Sequence, residues 1–176
     1  MSKVPERLTT ARLTLRRPVT SDAAAAFTWA SDAEVTRHMG WPTHKTIDDT
    51  LAFMSFATGE WIEKGVGTYF IEYGGRVVGS TGLHLFNRHR AMTGYILRRD
   101  VRGQGIATEA CRAMVELGRS LGIARIEAHC HVEHVASSRV LEKSGLQFEA
   151  VLRRFLVFPN ISRRPEDVRS YAAVMD

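Results

Sequence analysis

The sequence predicts an α/β (α+β) domain built around one mixed sheet. Three observations carry this. Gly74-Gly75 stands between two strand-like runs and marks an antiparallel hairpin. Residues Ala107, Ala110, Cys111, Met114, Leu117 and Leu121 form one apolar stripe at helical spacing, closed by Gly122. Segments of strand period and helix period then alternate to the end, with no repeat and no low-complexity tract.

Taken in order, Leu13 and Leu15 alternate with Arg12, Thr14 and Arg16, giving a first strand ended by Pro18. Thr20, Ser21 and Asp22 are N-cap residues before a helix over Ala23 to Ala30. Arg37 to His44, with Gly40, Trp41 and Pro42, reads as a loop. A second helix spans Ile47 to Lys64 and stops at Gly65. Strands follow at Thr68 to Tyr73, Val77 to Leu85 and Thr93 to Arg98. After the Ile106 to Leu121 helix come a strand over Ile126 to His131 and a short helix from Val135 to Ser144, ended by Gly145. Two closing strands, Phe148 to Phe158 and Val168 to Met175, flank a polar loop with Pro159, Asn160 and Pro165.

A chain of 176 residues suits one domain, with a core large enough to need no disulfide or metal. The formal charge is +5, from 24 basic and 19 acidic residues. Twenty of the bases are Arg, and none stands in a run longer than two. Such dispersal fits a solvated surface better than a nucleic-acid face, while a mild basic excess suits the phosphates of a nucleotide cofactor. Cys111 and Cys130 form no C-x-x-C pair, which argues against a zinc knuckle or disulfide framework. Met1 to Arg7 carries no apolar leader core, and no stretch approaches 18 apolar residues. The expectation is a cytoplasmic protein without a membrane span.

The chemistry concentrates between Arg98 and Thr108. A strand ends, Arg102-Gly103-Gln104-Gly105-Ile106-Ala107-Thr108 follows, and a helix begins. Glycines let backbone approach a ligand, and a helix start offers unpaired amides and a favourable dipole for anions. The segment therefore reads as a pyrophosphate cradle to which Arg102 adds charge, or else as a tight strand–helix turn. No Gly-Lys-Ser/Thr follows, so it is no P-loop. The third glycine of a dinucleotide fingerprint is missing too.

Four segments decide between these readings: Thr93-Gly94-Tyr95-Ile96-Leu97, Arg102 to Ala107, Thr108-Glu109-Ala110, and Ser137 through Arg139-Val140-Leu141-Glu142-Lys143-Ser144-Gly145. Together they resemble the GNAT acetyltransferases, in the branch that includes the ribosomal-protein N-terminal acetyltransferases. Thr10 to Arg16 and Asp167 to Val174 are similar to that branch as well. The resemblance implies a single acetyltransferase domain over 1–176. Its mostly antiparallel sheet would split in a V near Arg98, flanked by about four helices. It implies acetyl-coenzyme A as co-substrate, with no metal. The pyrophosphate would lie on the amides of Gly103, Gln104, Gly105, Ile106, Ala107 and Thr108, and the pantetheine arm along the free backbone of Ile96, Leu97 and Arg98. An acceptor amine would attack the thioester directly, so no covalent nucleophile is needed and both cysteines fit as core residues.

Two proton transfers remain to be assigned, because an ammonium must lose a proton and a departing thiolate should gain one. The family usually has Asn where His134 stands. His134 either keeps a contact to the pantetheine arm or serves as a helix-cap or surface residue. Many members place a proton-donating Tyr where this chain has Leu141. The ribosomal-protein branch offers a Ser instead, which matches Ser137, either an acid toward the sulfur or a helix cap. A Glu used as base by some relatives is replaced by Met92. Another relative pattern matches Glu149, either a base whose pKa burial raises or an exposed partner of Arg153 or Arg154. His84, His129 and His131 lie on strands, where each either reaches the cleft or is structural.

The acceptor side is expected from Ala33 to Phe56 and from the loop Phe158 to Asp167. Trp29, Trp41, Phe53 and Trp61 serve there as pocket walls or as core. The acceptor is a protein N-terminus, a small amine or an amino-acid analogue, and a homodimer is expected. The competing classes are a non-catalytic coenzyme A-binding regulatory module and, on the Arg count, a nucleic-acid-binding protein.

Overall fold

The computed structural model describes residues 4–175. Met1 to Lys3 of the opening stretch, and Asp176, lie outside the described residues.

Two short strands, β1 (Arg7–Thr9) and β2 (Thr14–Arg16), open the sheet. Leu13 and Leu15 are buried as their alternation requires. A 3₁₀ turn at Thr20–Asp22 leads into α1 (Ala23–Ala30), followed by the four-residue α2 (Ala33–Thr36). Neither β1 nor α2 was expected, since three or four residues carry no readable period. Asp22 does not cap α1. Arg16 takes its carboxylate in a two-pronged pair at 2.7 Å, and the Val19 amide donates to it at 2.9 Å. By contrast, α3 (Ile47–Lys64) has the expected bounds. Thr46 accepts from the Asp49 amide, Asp49 accepts from the Thr46 amide, and Gly65 closes the helix in the left-handed region at φ 69°.

The hairpin of β3 (Thr68–Tyr73) and β4 (Arg76–Leu85) turns at Gly74-Gly75, as expected. Next come β5 (Arg90–Leu97), α4 (Ile106–Ser120), β6 (Arg125–His131) and α5 (Val135–Lys143). The closing strands are β7 (Gln147–Val157) and β8 (Pro165–Val174). Pro165 begins a strand rather than sitting in the loop, because the first strand position needs no ladder amide.

All eight strands form one sheet in the order β1-β2-β3-β4-β5-β6-β8-β7. Every neighbouring pair is antiparallel except β5 and β6, which run parallel. With five helices around it among the described residues, this is the mixed, mostly antiparallel α/β architecture that the sequence led us to expect. One apolar core joins α4 to the sheet through Cys111, Met114, Leu83 and Ile126. A second joins α1 and α3 to the other face through Trp29, Met54, Phe70 and Ile96. Cys111 and Cys130 are both buried, and burial pushes the Cys111 thiol up to about 11, as suits an inert core residue.

The parallel pair positions the site. β5 and β6 pair only at Arg90–Arg125, Ala91–Ile126 and Met92–Glu127. Beyond that point β5 stays with β4 and β6 stays with β8, so the two strands part in a V. The α4-facing and α3-facing residues of β5 alternate across this opening, with Tyr95 and Leu97 on one face and Ile96 on the other.

Gly79 on β4 holds the arm of the V in place. It pairs with Leu97, and a Cβ there would collide with the carbonyl oxygen of Ile96. Gly79→Ala should therefore push β5 away from β4. A loss of about 1–3 kcal/mol, the usual cost of overpacking, is expected in denaturant unfolding. Unchanged stability would mean that β5 shifts freely.

Candidate active site

The strand–helix junction after β5 has the geometry of an anion cradle. Gly103 and Gly105 take φ values of 77° and 78°, in the left-handed region that other residues avoid. Gly105 is the N-cap of α4, and no side chain caps that end. The first intrahelical bond runs from the Glu109 amide to the Gly105 carbonyl at 3.0 Å. The amides of Ile106, Ala107 and Thr108 precede it and point out of the helix start without an intrahelical partner. They border a cleft of about 350 Å³ that also reaches Tyr95, Ile96 and Leu97 on β5 and His134 and Ser137 on α5. Arg102, Arg139 and Lys143 give its rim positive charge.

The expected members of this site do not all arrive. The Arg98 amide donates to the Val78 carbonyl at 2.9 Å and so is not free. Alternation along the ladder turns the amides and carbonyls of Tyr95 and Leu97 away from β4, toward the V. Gln104 also points elsewhere. Its side chain reaches the Asp100 carbonyl at 3.3 Å, and its own carbonyl accepts from Arg12 Nη1 at 2.8 Å.

Ser137 sits in the cleft wall and is buried. Tyr95 lines the same cleft, and burial pushes its phenol up to about 12. Leu141 is in the core at 2% exposure and has no part in the cleft. His134 is the N-cap of α5 by position, yet its side chain makes no capping bond. It lines the cleft instead, stacked on His38 with ring centroids 4.3 Å apart. Burial, with the charges of His38, Arg102 and His131, lowers its pKa to about 4.

Glu149 is a correction. It is an exposed residue of β7, where a ladder irregularity between Phe148 and Ala150 turns it outward. Arg125 binds both its oxygens, at 2.8 and 2.5 Å. That guanidinium holds the carboxyl below the usual range, which fits the exposed, Arg-paired reading and not that of a base whose pKa burial raises. The partner is also neither Arg153 nor Arg154.

The two segments expected to frame the acceptor do meet. Asn160 accepts from Thr43 and donates to the carbonyls of Thr36 at 2.8 Å and Trp41 at 3.0 Å. Trp29 and Trp61 are core residues, while Trp41 and Phe53 stack at 6.4 Å on the edge of the α3-side core. His131 packs on Phe158 and His129 on Phe155 along the same face. No group of residues suited to a metal ion exists among the described residues. No helix among them is long and apolar enough to cross a membrane.

Comparison with known proteins fits this geometry. Residues 12–147 match the model of the acetyltransferase (GNAT) domain. The chain belongs to the GNAT acetyltransferases. It is similar to the uncharacterized N-acetyltransferase YoaA of Bacillus subtilis (strain 168), with 34% identity over 85% of this chain and 87% of that one. Among solved structures it shares its fold with the microcin C7 self-immunity acetyltransferase MccE in complex with acetyl-CoA and AMP. The TM-score is 0.85, with 23% identity and 99% of each chain covered. RimL, a ribosomal-protein alpha-N-acetyltransferase in complex with coenzyme A, superposes with a TM-score of 0.82, 20% identity and 98% of each chain covered.

Two residues of this GNAT site escaped the sequence. Arg12 lies beside β2 but serves the cradle. Its Nε and amide reach Glu109 at 2.7 and 2.8 Å, Thr10 adds a bond of 2.6 Å, and Nη1 holds the Gln104 carbonyl. Burial alone would raise the Glu109 pKa, but these donors bring it below the ordinary value. Glu109 therefore fastens the N-terminal segment to α4 as well as sitting near the helix dipole. The second is Tyr95, whose alternation with Thr93 and Leu97 was the available signal.

The His134 shift gives a pH prediction. An unfolded His titrates near 6.5, so between about 6.5 and about 4 the unfolded chain takes up a proton that folded His134 refuses. Its contribution to stability is whole above about 6.5 and is lost as pH falls toward 4. His134→Asn should flatten the stability–pH curve in that window. A curve as steep as the parent's would show that His134 does not carry the effect.

Proposed function

We propose that this GNAT enzyme moves an acetyl group from acetyl-coenzyme A to a primary amine by direct attack in a ternary complex. The row of uncapped amides at Ile106, Ala107 and Thr108, opening on a cleft bordered by the free edge of β5, is the observation that supports it most. Those amides and Arg102 would hold the pyrophosphate, with Arg139 and Lys143 adding charge for the nucleotide phosphates. A side chain at Gly105 would crowd Arg12 at 3.3 Å and fall on a positive φ, so the cradle requires a glycine there. The backbone of Tyr95 and Leu97 would align the pantetheine arm as an added strand does. MccE and RimL, which share the fold, are described with acetyl-CoA and coenzyme A bound.

Ser137 would return a proton to the departing thiolate, a role supported by its position in the cleft wall, which Tyr95 also lines. The acceptor would enter from the opposite face, between the loop held by Asn160 and the strands bearing His129 and His131. A small-molecule amine and a protein N-terminus both fit this description. Two buried, unpaired thiols suit a cytoplasmic setting. The exposed Phe148, Val151 and Val157 on the edge strand β7 support a homodimer, which light scattering would show as twice the 19.7 kDa chain mass. A monomer mass at all concentrations contradicts it.

Calorimetry should show acetyl-coenzyme A binding that Arg102→Glu and Gly105→Asp weaken at least tenfold. Coenzyme A release over a panel of amines and peptides should then identify an acceptor. Ser137→Ala should lower kcat about tenfold or more, at the modest end of general acid–base effects, with cofactor binding nearly intact. Tight binding without turnover on any acceptor would instead make the chain a coenzyme A-binding module.

A further inference from the structure

The middle of the sheet carries a gap on its α3 face. Gly82 on β4 and Gly94 on β5 are directly paired, so both present the same face. That face is the α3 side, since Ile96, two residues beyond Gly94, lies in the core with Met54 and Phe70. A Cβ on Gly94 would meet nothing within 4 Å. One on Gly82 would stand 2.5 Å from Nε2 of His84. The His84 ring therefore leans along β4 over Gly82, and its Nε2 borders the open space above Gly94. Gly94 directly precedes Tyr95, where the edge of β5 opens on the cofactor cleft.

The other ring nitrogen is held. Nδ1 of His84 lies 2.9 and 3.1 Å from the two carboxylate oxygens of Glu60 on α3. Glu60 is 7% exposed and fills space that Gly67 leaves free, where a Cβ would come within 3.2 Å of its Oε2. A carboxylate only accepts, so Nδ1 carries a proton, and in the neutral ring Nε2 then keeps its lone pair. A buried carboxylate behind an imidazole orients the ring and stabilises the imidazolium once it forms. The charged groups recorded around the pair are few. Lys64 on α3 stands 4.0 Å from Glu60 and donates to the Leu85 carbonyl. From β5 the facing residue is the uncharged Met92. Beyond it on β6, Glu127 is occupied by Arg90 and Arg125.

We infer that His84 is the general base for the acceptor amine and that Glu60 is its positioning residue. This rests on the acetyl-transfer reading. His84 Nε2 takes a proton from the acceptor ammonium. The freed nitrogen pair forms the N–C bond at the thioester carbonyl, and the C–S bond breaks. The thiolate takes a proton from Ser137 on the other side of β5, the nitrogen gives up its second proton to water, which restores the serine, and the imidazolium releases its own to water. The net change is an amide, a thiol and one proton. The two proton transfers thus fall on opposite faces of one strand.

The pH dependence of kcat/KM on an acceptor amine, beside calorimetry with acetyl-coenzyme A, tests this. His84→Gln should lower kcat/KM tenfold or more and abolish the acidic limb, with cofactor affinity unchanged. Glu60→Gln should move that limb to lower pH, because the imidazolium loses its counter-charge. This shift serves as the readout if His84→Gln does not fold. A parental rate and limb in His84→Gln, or an unmoved limb in Glu60→Gln, overturns the assignment while leaving acetyl transfer standing. Loss of rate and limb in Glu149→Gln with His84→Gln unaffected overturns it in favour of the other carboxylate. A parent that binds acetyl-coenzyme A and turns over no acceptor overturns the underlying reaction instead.

Discussion

Three residue pairs between β5 and β6 are all that join the two halves of the sheet, and the site exists because there are only three. A carboxylate fastens that short seam. Glu127 is 3% exposed, and Arg90 grips both its oxygens at 2.7 and 3.0 Å while Arg125 adds a bond at 3.1 Å. The Arg90 bonds, chiefly, hold the Glu127 carboxyl below its ordinary range despite its burial. A buried carboxylate left without its cations is costly, so the closed end of the V is strongly determined. The open end is not filled by side chains, and the unpaired edge of β5 is left to face the cleft. Glu149 belongs to this same seam, through Arg125.

What the sequence disclosed follows from distance along the chain. The α3 helix was legible to its terminal residues because Thr46, Asp49 and Gly65 write its ends within the helix itself. The Gly74-Gly75 hairpin and the Gly103–Thr108 cradle are equally local. Two pairings that the sequence did not disclose join distant positions. Arg12 meets Glu109 across 97 positions, and Glu149 meets Arg125 across 24. No periodicity encodes such pairs. The resemblance to the family supplied the split of the sheet, yet at Glu149 it carried a role into an environment of the opposite electrostatic sign.

Three histidine settings show how environment separates identical side chains. His134 is stacked on His38 near Arg102 and is kept neutral beside the cofactor cleft, where a proton would repel the neighbouring cations. His129 is buried, with Nδ1 lacking a partner, on the face where the acceptor is expected. His84 alone is backed by a carboxylate at hydrogen-bond distance, which is the arrangement a base needs. The proposed reaction thus divides between the faces of β5, with anion binding and the thiol on the α4 and α5 side and the amine on the α3 side.

The central claim is that acetyl-coenzyme A completes the V, with its phosphates on the amides of Ile106 to Thr108 and its arm along Tyr95 and Leu97. Amide hydrogen exchange with and without acetyl-coenzyme A measures this most directly. Exchange should slow at Tyr95, at Leu97 and over residues 103–108, with the amides of β3 and β7 unchanged. Binding that protects neither stretch, or that protects β7 and the loop after it instead, would contradict the account.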